Sequence, residues 1–166
     1  MKYLVLVILI FLKVTTYAYG SNVVYIDMSY ILSNSIKGKS ILDELDSENK
    51  KNIKELESKE KILKDLEKNI SNKKNILSKK EFDKKVNDLK SKVIIFRKDK
   101  DKIVQKFNDV KNNTIQNFMK NVEPLISNYM EKNSINIVLS KKDVIIGKKN
   151  LDITNEILEI VNKNIK

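Results

Sequence analysis

Residues 76–82 read Ile-Leu-Ser-Lys-Lys-Glu-Phe. Ser78 and Glu81 stand three apart, as the two halves of a capping box do: the serine hydroxyl takes the Glu81 amide, and the glutamate reaches back to the Ser78 amide. Leu77 and Phe82 fall at the flanking positions of a hydrophobic staple. This is a helix start, yet it lies in the interior of a long stretch, Ser35 to Asn133. That stretch has no Gly beyond Gly38 and one Pro, Pro124, near its end. Charged residues alternate there with isolated Ile, Leu, Val and Phe. A single continuous helix would not need an internal cap. The stretch therefore predicts two long helices folded back on each other, with the turn near residues 71–78.

Upstream of the turn a heptad runs back to Leu42. Positions 42, 49, 56, 63, 70 and 77 are Leu, Asn, Leu, Leu, Ile and Leu. Their companions 45, 52, 59, 66 and 73 are Leu, Asn, Lys, Leu and Lys. One seam row is apolar and the other is half polar, which suits a loosely packed antiparallel arm better than a dry bundle. Downstream, Phe82, Val86, Leu89, Val93, Phe96, Ile103 and Phe107 recur at spacings of three and four, with Lys100 as the polar exception. After Val110 the register slips to Ile115, Phe118, Val122, Leu125 and Tyr129, a stutter. Pro124 should kink or end a segment close by. Each arm would run about 60–70 Å at the helical rise. One chain cannot bury a face that long in a compact core, so the hairpin is either shared between copies or deliberately exposed.

Beyond the hairpin the period changes. Asn22 to Asp27 is a β-branched and aromatic run, a predicted strand. Asp27 can cap a brief helix carrying Met28, Ile31 and Leu32, which Ser33 to Ser35 and Gly38 interrupt. Ser35 is the expected N-cap of the first long helix. After Asn133, Ile135 to Leu139 and Val144 to Ile146 read as strands around a turn at Ser140 to Asp143. Asp152 or Thr154 then caps a last helix. Strand material at both ends predicts a small sheet from which the hairpin projects. The fold class is mainly α with a small β part. Residues 21–34 and 134–166 form the body and 35–133 the arm of a single unit, 21–166.

Residues 1–20 are set apart. A basic Met1-Lys2, an apolar run from Tyr3 to Leu12 and small residues at Ala18 and Gly20 match a secretory signal peptide cut before Ser21. Ten apolar residues are too few for a hydrocarbon core of about 30 Å. The rest of the chain is expected to be exported. The sequence has no Cys and no His among 166 residues, which removes thiolate and imidazole catalysis and the usual zinc ligands. It has no phosphate-binding Gly-rich loop. No catalytic residue, cofactor or metal is expected, and the chain is read as a non-enzyme. Lys numbers 32 against a single Arg, Arg97, which argues against sequence-specific nucleic-acid recognition.

Charge is segregated. Residues 68–106 hold 14 Lys/Arg against 5 Asp/Glu, a net of +9, while 21–67 carry −2 and 107–166 carry +2. A basic tip is expected to approach something anionic. The residues assigned to it are Lys73, Lys74, Lys79, Lys80, Lys84, Lys85, Arg97 and Lys98. Within the same region Val93, Ile94, Ile95 and Phe96 are four consecutive large apolar residues. Successive helical residues stand about 100° apart, so they cannot all face one seam. With Phe82 and Val86 they are the candidate contact surface of the arm.

Taken in order, these motifs resemble the Skp-type periplasmic chaperones, the OmpH-like family. The resemblance rests on Val24-Tyr-Ile-Asp27-Met28 leading into a helix with Gly38-Lys39, and on Leu77-Ser78 at the turn of a Lys/Glu-rich hairpin. It rests further on Pro124-Leu-Ile126, Ile137-Val-Leu139, Val144-Ile-Ile146 and, as the best single marker, Leu151-Asp-Ile-Thr154 before a final helix. It implies a homotrimer whose pooled strands make a β-rich body, with Val23, Val24, Ile26, Ile137, Leu139 and Ile145 as the oligomerisation residues. Three arms would enclose a cavity that holds unfolded outer-membrane proteins in the periplasm without ATP. It also implies contact of basic tips with anionic lipid or lipopolysaccharide. The competing reading is an exported structural coiled coil that grips anionic envelope lipid through its tip.

Overall fold

The computed structural model describes residues 22–166; the predicted signal peptide lies outside them. In chain order come β1 (Val23–Ile26), α1 (Met28–Asn34), α2 (Ile36–Asn72), α3 (Lys79–Lys132), β2 (Ile137–Ser140) and α4 (Thr154–Asn164). Two short 3-10 turns, Lys141–Asp143 and Lys149–Leu151, separate β2 from α4. The predominantly helical class with a small sheet is as the sequence predicts. Among the described residues no helix is long and apolar enough to cross a membrane.

Side-chain caps fix the starts of the first three helices; α4 instead follows Ile153 at its N-cap, with no side-chain cap there, and the expected cap Asp152 accepts the Thr154 N–H at 3.1 Å from just outside it. The Asp27 carboxylate accepts the Tyr30 N–H at 2.9 Å and opens α1. The Ser35 hydroxyl accepts the Gly38 N–H at 3.1 Å and opens α2. Ser78 opens α3 with both halves of the capping box in place: its hydroxyl accepts from the Glu81 N–H at 3.3 Å and its N–H donates to the Glu81 carboxylate at 3.2 Å. At the far end Ser134 adopts φ +53°. There the Ile135 N–H reaches back to the Met130 carbonyl at 3.0 Å, a Schellman-type closure of α3.

Helices α2, of 37 residues, and α3, of 54, make the hairpin. The half-buried residues of α2 follow the predicted heptad from Leu42 to Ile70. On α3 the spacing shifts where the stutter was expected, with Val110, Thr114, Phe118 and Val122 turned inward at intervals of four. Three readings need correction. Gly38 does not interrupt; it lies inside α2, where an added Cβ would overlap the Leu32 carbonyl, so glycine lets α1 end against α2. Pro124 neither ends α3 nor stops it nearby: the helix runs on to Lys132. Pro124 faces solvent, where water can satisfy the carbonyl its missing N–H leaves free. The inward polar position on α3 is Asp99, not Lys100: Asp99 is half-buried and Lys100 exposed.

The chain ends meet at the base. β1 and β2 pair in parallel, with Val23 opposite Ile137 and Ile26 opposite Ser140. On its other edge β1 bridges Asp152, and its Tyr25 carbonyl accepts the Ile153 N–H at 3.0 Å. Val144 to Ile146 is not a strand; it lies in the loop after the first 3-10 turn, with Ile145 97% and Ile146 91% exposed. A β-type run forms a strand only where a neighbouring edge is within reach, and the edge of β1 on that side is taken by Asp152. The buried core comprises Val24, Ile26, Ile31, Ile41, Leu45, Phe118, Val122, Ile153, Ile157 and Val161. All of it lies at the base. Among the described residues none between Leu45 and Phe118 is buried.

Candidate functional site: the arm, its tip and the open sheet edge

The arm is one helix pair thick, and its seam is reached from both sides. Leu63 and Phe96 floor two separate grooves. One, of about 230 Å³, has Ile62 and Ile95 on its walls, with Lys59, Lys92 and Asp99 at its rim. The other, of about 840 Å³, is walled by Val86, Val93 and Ile94 and rimmed by Lys64, Arg97 and Lys100. The four-residue apolar run is thereby resolved. Val93 and Phe96 are half-buried in the seam, while Ile94 and Ile95 are exposed on opposite flanks. Phe82 and Val86 are half-buried as seam residues nearer the tip.

Polar chemistry interrupts the seam at the rim of the smaller groove and toward the base from it. Asn49, Asn52 and Lys59 occupy half-buried positions of α2. Lys59 lies 4.0 Å from Asp99 on α3 and 2.7 Å from Glu55 on its own helix. Its ammonium is held above the ordinary lysine range, first by the hydrogen bond to Glu55. Exposed pairs of this kind contribute little to stability. The arm therefore owes its order to a long series of half-burials rather than to a few strong contacts.

Every assigned basic residue is exposed, but they do not share one place. Lys73, Lys74, Lys79 and Lys80 flank the turn, and Lys84 and Lys85 follow within the first two turns of α3. Arg97 and Lys98 are not at the tip but well along the arm, where Arg97 rims the larger groove. Ile76, in the turn, is 80% exposed. Glu81 is engaged by the cap, and its hydrogen bonds from Ser78 hold its carboxyl below the usual range. The capping carboxylate thus stays ionised at neutral pH.

At the base the candidate self-association residues divide. Val24 and Ile26 point into the chain's own core. Val23 lies on the outer face of the sheet, beside Ile137 and Leu139, which are exposed by 47% and 43%. Ile145 stands in solvent. Among the described residues β2 pairs only with β1, so its other edge is open. Sequence periodicity missed five exposed apolar residues of the arm, Ile36, Ile53, Ile62, Ile76 and Val104. Their signal was negative: each falls off the heptad, where a solvated helix would carry a polar residue. Among the described residues no cluster of three or more His, Cys, Asp or Glu gathers to hold a metal ion.

Comparison with known proteins adds two findings. The model of the family described as outer membrane protein (OmpH-like) matches residues 22–161. A solved structure from Caulobacter crescentus CB15, described as a candidate outer membrane chaperone (OmpH-like), superposes with a TM-score of 0.78 at 14% identity, covering 87% of this chain and 86% of that one. At that identity it speaks for the fold. No curated protein matches the sequence.

Proposed function

The chain belongs to the OmpH-like outer membrane protein family, and from that premise we propose that it is an ATP-independent periplasmic holdase that keeps unfolded outer-membrane proteins from aggregating. The observation that carries the proposal is the arm. It leaves large apolar side chains in water, Ile62, Ile94 and Ile95 among them, inside a segment of net charge +9. Ile62 and Ile95 share the walls of one groove with Leu63 and Phe96 at its floor, and a contiguous exposed apolar patch of that kind marks an interaction surface. A holdase needs many weak apolar contacts together with long-range attraction for an acidic, unfolded client.

Three copies joined through the open edge of β2 and the outer sheet face would set three such arms around one cavity. Val23, Ile137, Leu139 and Ile145 would then leave solvent. Export would follow from cleavage of residues 1–20 after Gly20. The test is direct. The purified protein should sediment as a trimer and suppress aggregation of a urea-diluted outer-membrane protein at about one trimer per client. A monomer without effect on aggregation would end the proposal.

A second reading is favoured by one observation, Ile76 exposed in the turn between Lys73-Lys74 and Lys79-Lys80. An apolar residue within a basic cluster suits the surface of an anionic bilayer. It predicts binding to vesicles containing phosphatidylglycerol that fades with salt and weakens in Ile76→Ser.

A further inference from the structure

Residues 141–148 form a loop that is braced at both ends and open in the middle. Lys141 pairs with Asp152 at 2.9 Å, and the half-buried Val144 donates its N–H to the Lys141 carbonyl at 3.2 Å. At the other end the Tyr25 hydroxyl donates to the Lys148 carbonyl at 3.2 Å. Gly147 lies so close over the Tyr25 ring that a methyl group in its place would strike it. Between these anchors Ile145 and Ile146 are 97% and 91% exposed. A slack loop would fold two isoleucines back onto the protein. This one presents them, already ordered, and an ordered knob loses little entropy on docking.

A matching hollow lies along the lower part of α3. It measures about 580 Å³ and has Met28, Met119 and Met130 on its walls with Ile115 and Ile126. Those are all the methionines of residues 22–166. Methionine is flexible and polarizable and adapts to irregular apolar partners. The hollow's polar lining is Gln116, Lys120, Glu123 and Ser127, of which Lys120 and Glu123 are charged. The knob is flanked by Asp143 before it and Lys148 after it, so the two charged pairs carry opposite signs in the same order.

We propose that Ile145 and Ile146 of one copy seat in the methionine-lined groove of a second copy, with Asp143 meeting Lys120 and Lys148 meeting Glu123. Knob and groove are different surfaces, so the contact is head-to-tail. Such contacts close into a ring when the rotation allows. This rests on the self-association proposed above and adds how neighbouring copies are joined.

The chain has no cysteine, which makes the test clean. Ile146→Cys is refolded together with Met119→Cys, Ile126→Cys or Met130→Cys, each substitution on a separate chain, and the mixtures are oxidised. A disulfide-linked dimer of the two variants is expected in at least one mixture and in none of the variants alone. In parallel, Ile146→Asp should raise the concentration at which the trimer dissociates at least tenfold while leaving the helical circular dichroism unchanged. A stable trimer without mixed dimers, or with Ile146→Cys linked only to itself, overturns the knob-and-groove contact and leaves trimerisation standing. A wild-type chain that stays monomeric overturns both.

Discussion

Single residues decide where the elements begin and end, and they are where the sequence was most and least readable. Ser134 closes α3 in the left-handed region, which a side chain enters at a cost and glycine enters freely. Ser134→Gly should therefore stabilise the protein by about 0.5–1 kcal/mol, read as a higher denaturant midpoint. Asp152 is a second decisive residue. Partial burial pulls its carboxyl up, but hydrogen bonds from Thr154 and Lys141 outweigh this and hold it below the usual range. Its contribution is therefore complete above the ordinary aspartate value of about 3.9 and is lost as pH falls through the lower, folded value. Unfolding followed from pH 6 to pH 2 should show a shallower loss of stability in Asp152→Asn than in wild type. The Ser78–Glu81 box was legible because all its partners lie within four residues. Gly38 was misread because its reason is a contact with Leu32 across a helix junction. Asp99 was displaced by one from the template for a similar reason: the heptad fixes a turn, while Lys59 on the facing helix selects the residue.

Among the elements, α2 and α3 form a ribbon whose seam changes character along its length. It is apolar at Ile41 and Leu45, polar at Asn49 and Asn52, and apolar again from Leu63 to Ile70. Filling the polar section by Asn49→Leu with Asn52→Leu should lower amide exchange across residues 46–60 by tenfold or more, with no change of helix content. Unchanged exchange would mean that the seam is already tight there. The two isoleucines between Val93 and Phe96 divide the flanks, so Ile94→Lys and Ile95→Lys separate them functionally. Under the holdase function proposed above, the flank that takes part in client binding should lose aggregation suppression severalfold on substitution, and the other should keep it. Periodicity showed that the four residues cannot share one seam. It could not say which two leave it, because that depends on the phase of α3 against α2. Strand assignment failed at Val144 to Ile146 on similar grounds. The run has the composition of a strand, but composition does not supply a neighbouring edge.

Across the whole molecule, burial and charge are placed at opposite ends. The core gathers where the termini meet, so Ile157→Ala should cost about 3 kcal/mol, measured by chemical unfolding. Leu63→Ala, in the half-buried arm seam, should cost about 1 kcal/mol. The basic excess lies away from that core, in the outer part of the hairpin across residues 68–106. The client capture proposed above, if driven by it, should weaken severalfold between 50 mM and 500 mM salt as the screening length shortens, and an apolar-only mechanism would show no such fall. The division into arm and base was legible because both periods, three-and-four and two, are written into the chain. What periodicity left open was which faces remain unfilled once the chain has closed.

The parallel pairing of β1 with β2 also sets an order of events in time. Val23 and its partner Ile137 are separated by the entire hairpin. Contacts so distant in sequence are slow to form when the intervening chain is loose. Here the intervening chain shortens the search itself. The capped turn at Ser78 needs only its neighbours, and zipping of α2 on α3 from that point carries the two termini toward each other. The sheet then closes last, as a latch. A chain still emerging from a ribosome or a membrane pore would hold a finished hairpin and an unlatched base until Ile137 and Ile153 arrive. Pulse-labelled amide exchange during refolding should accordingly protect Phe82 to Leu89 before Val24 and Ile26. The reverse order would show that the ends find each other first.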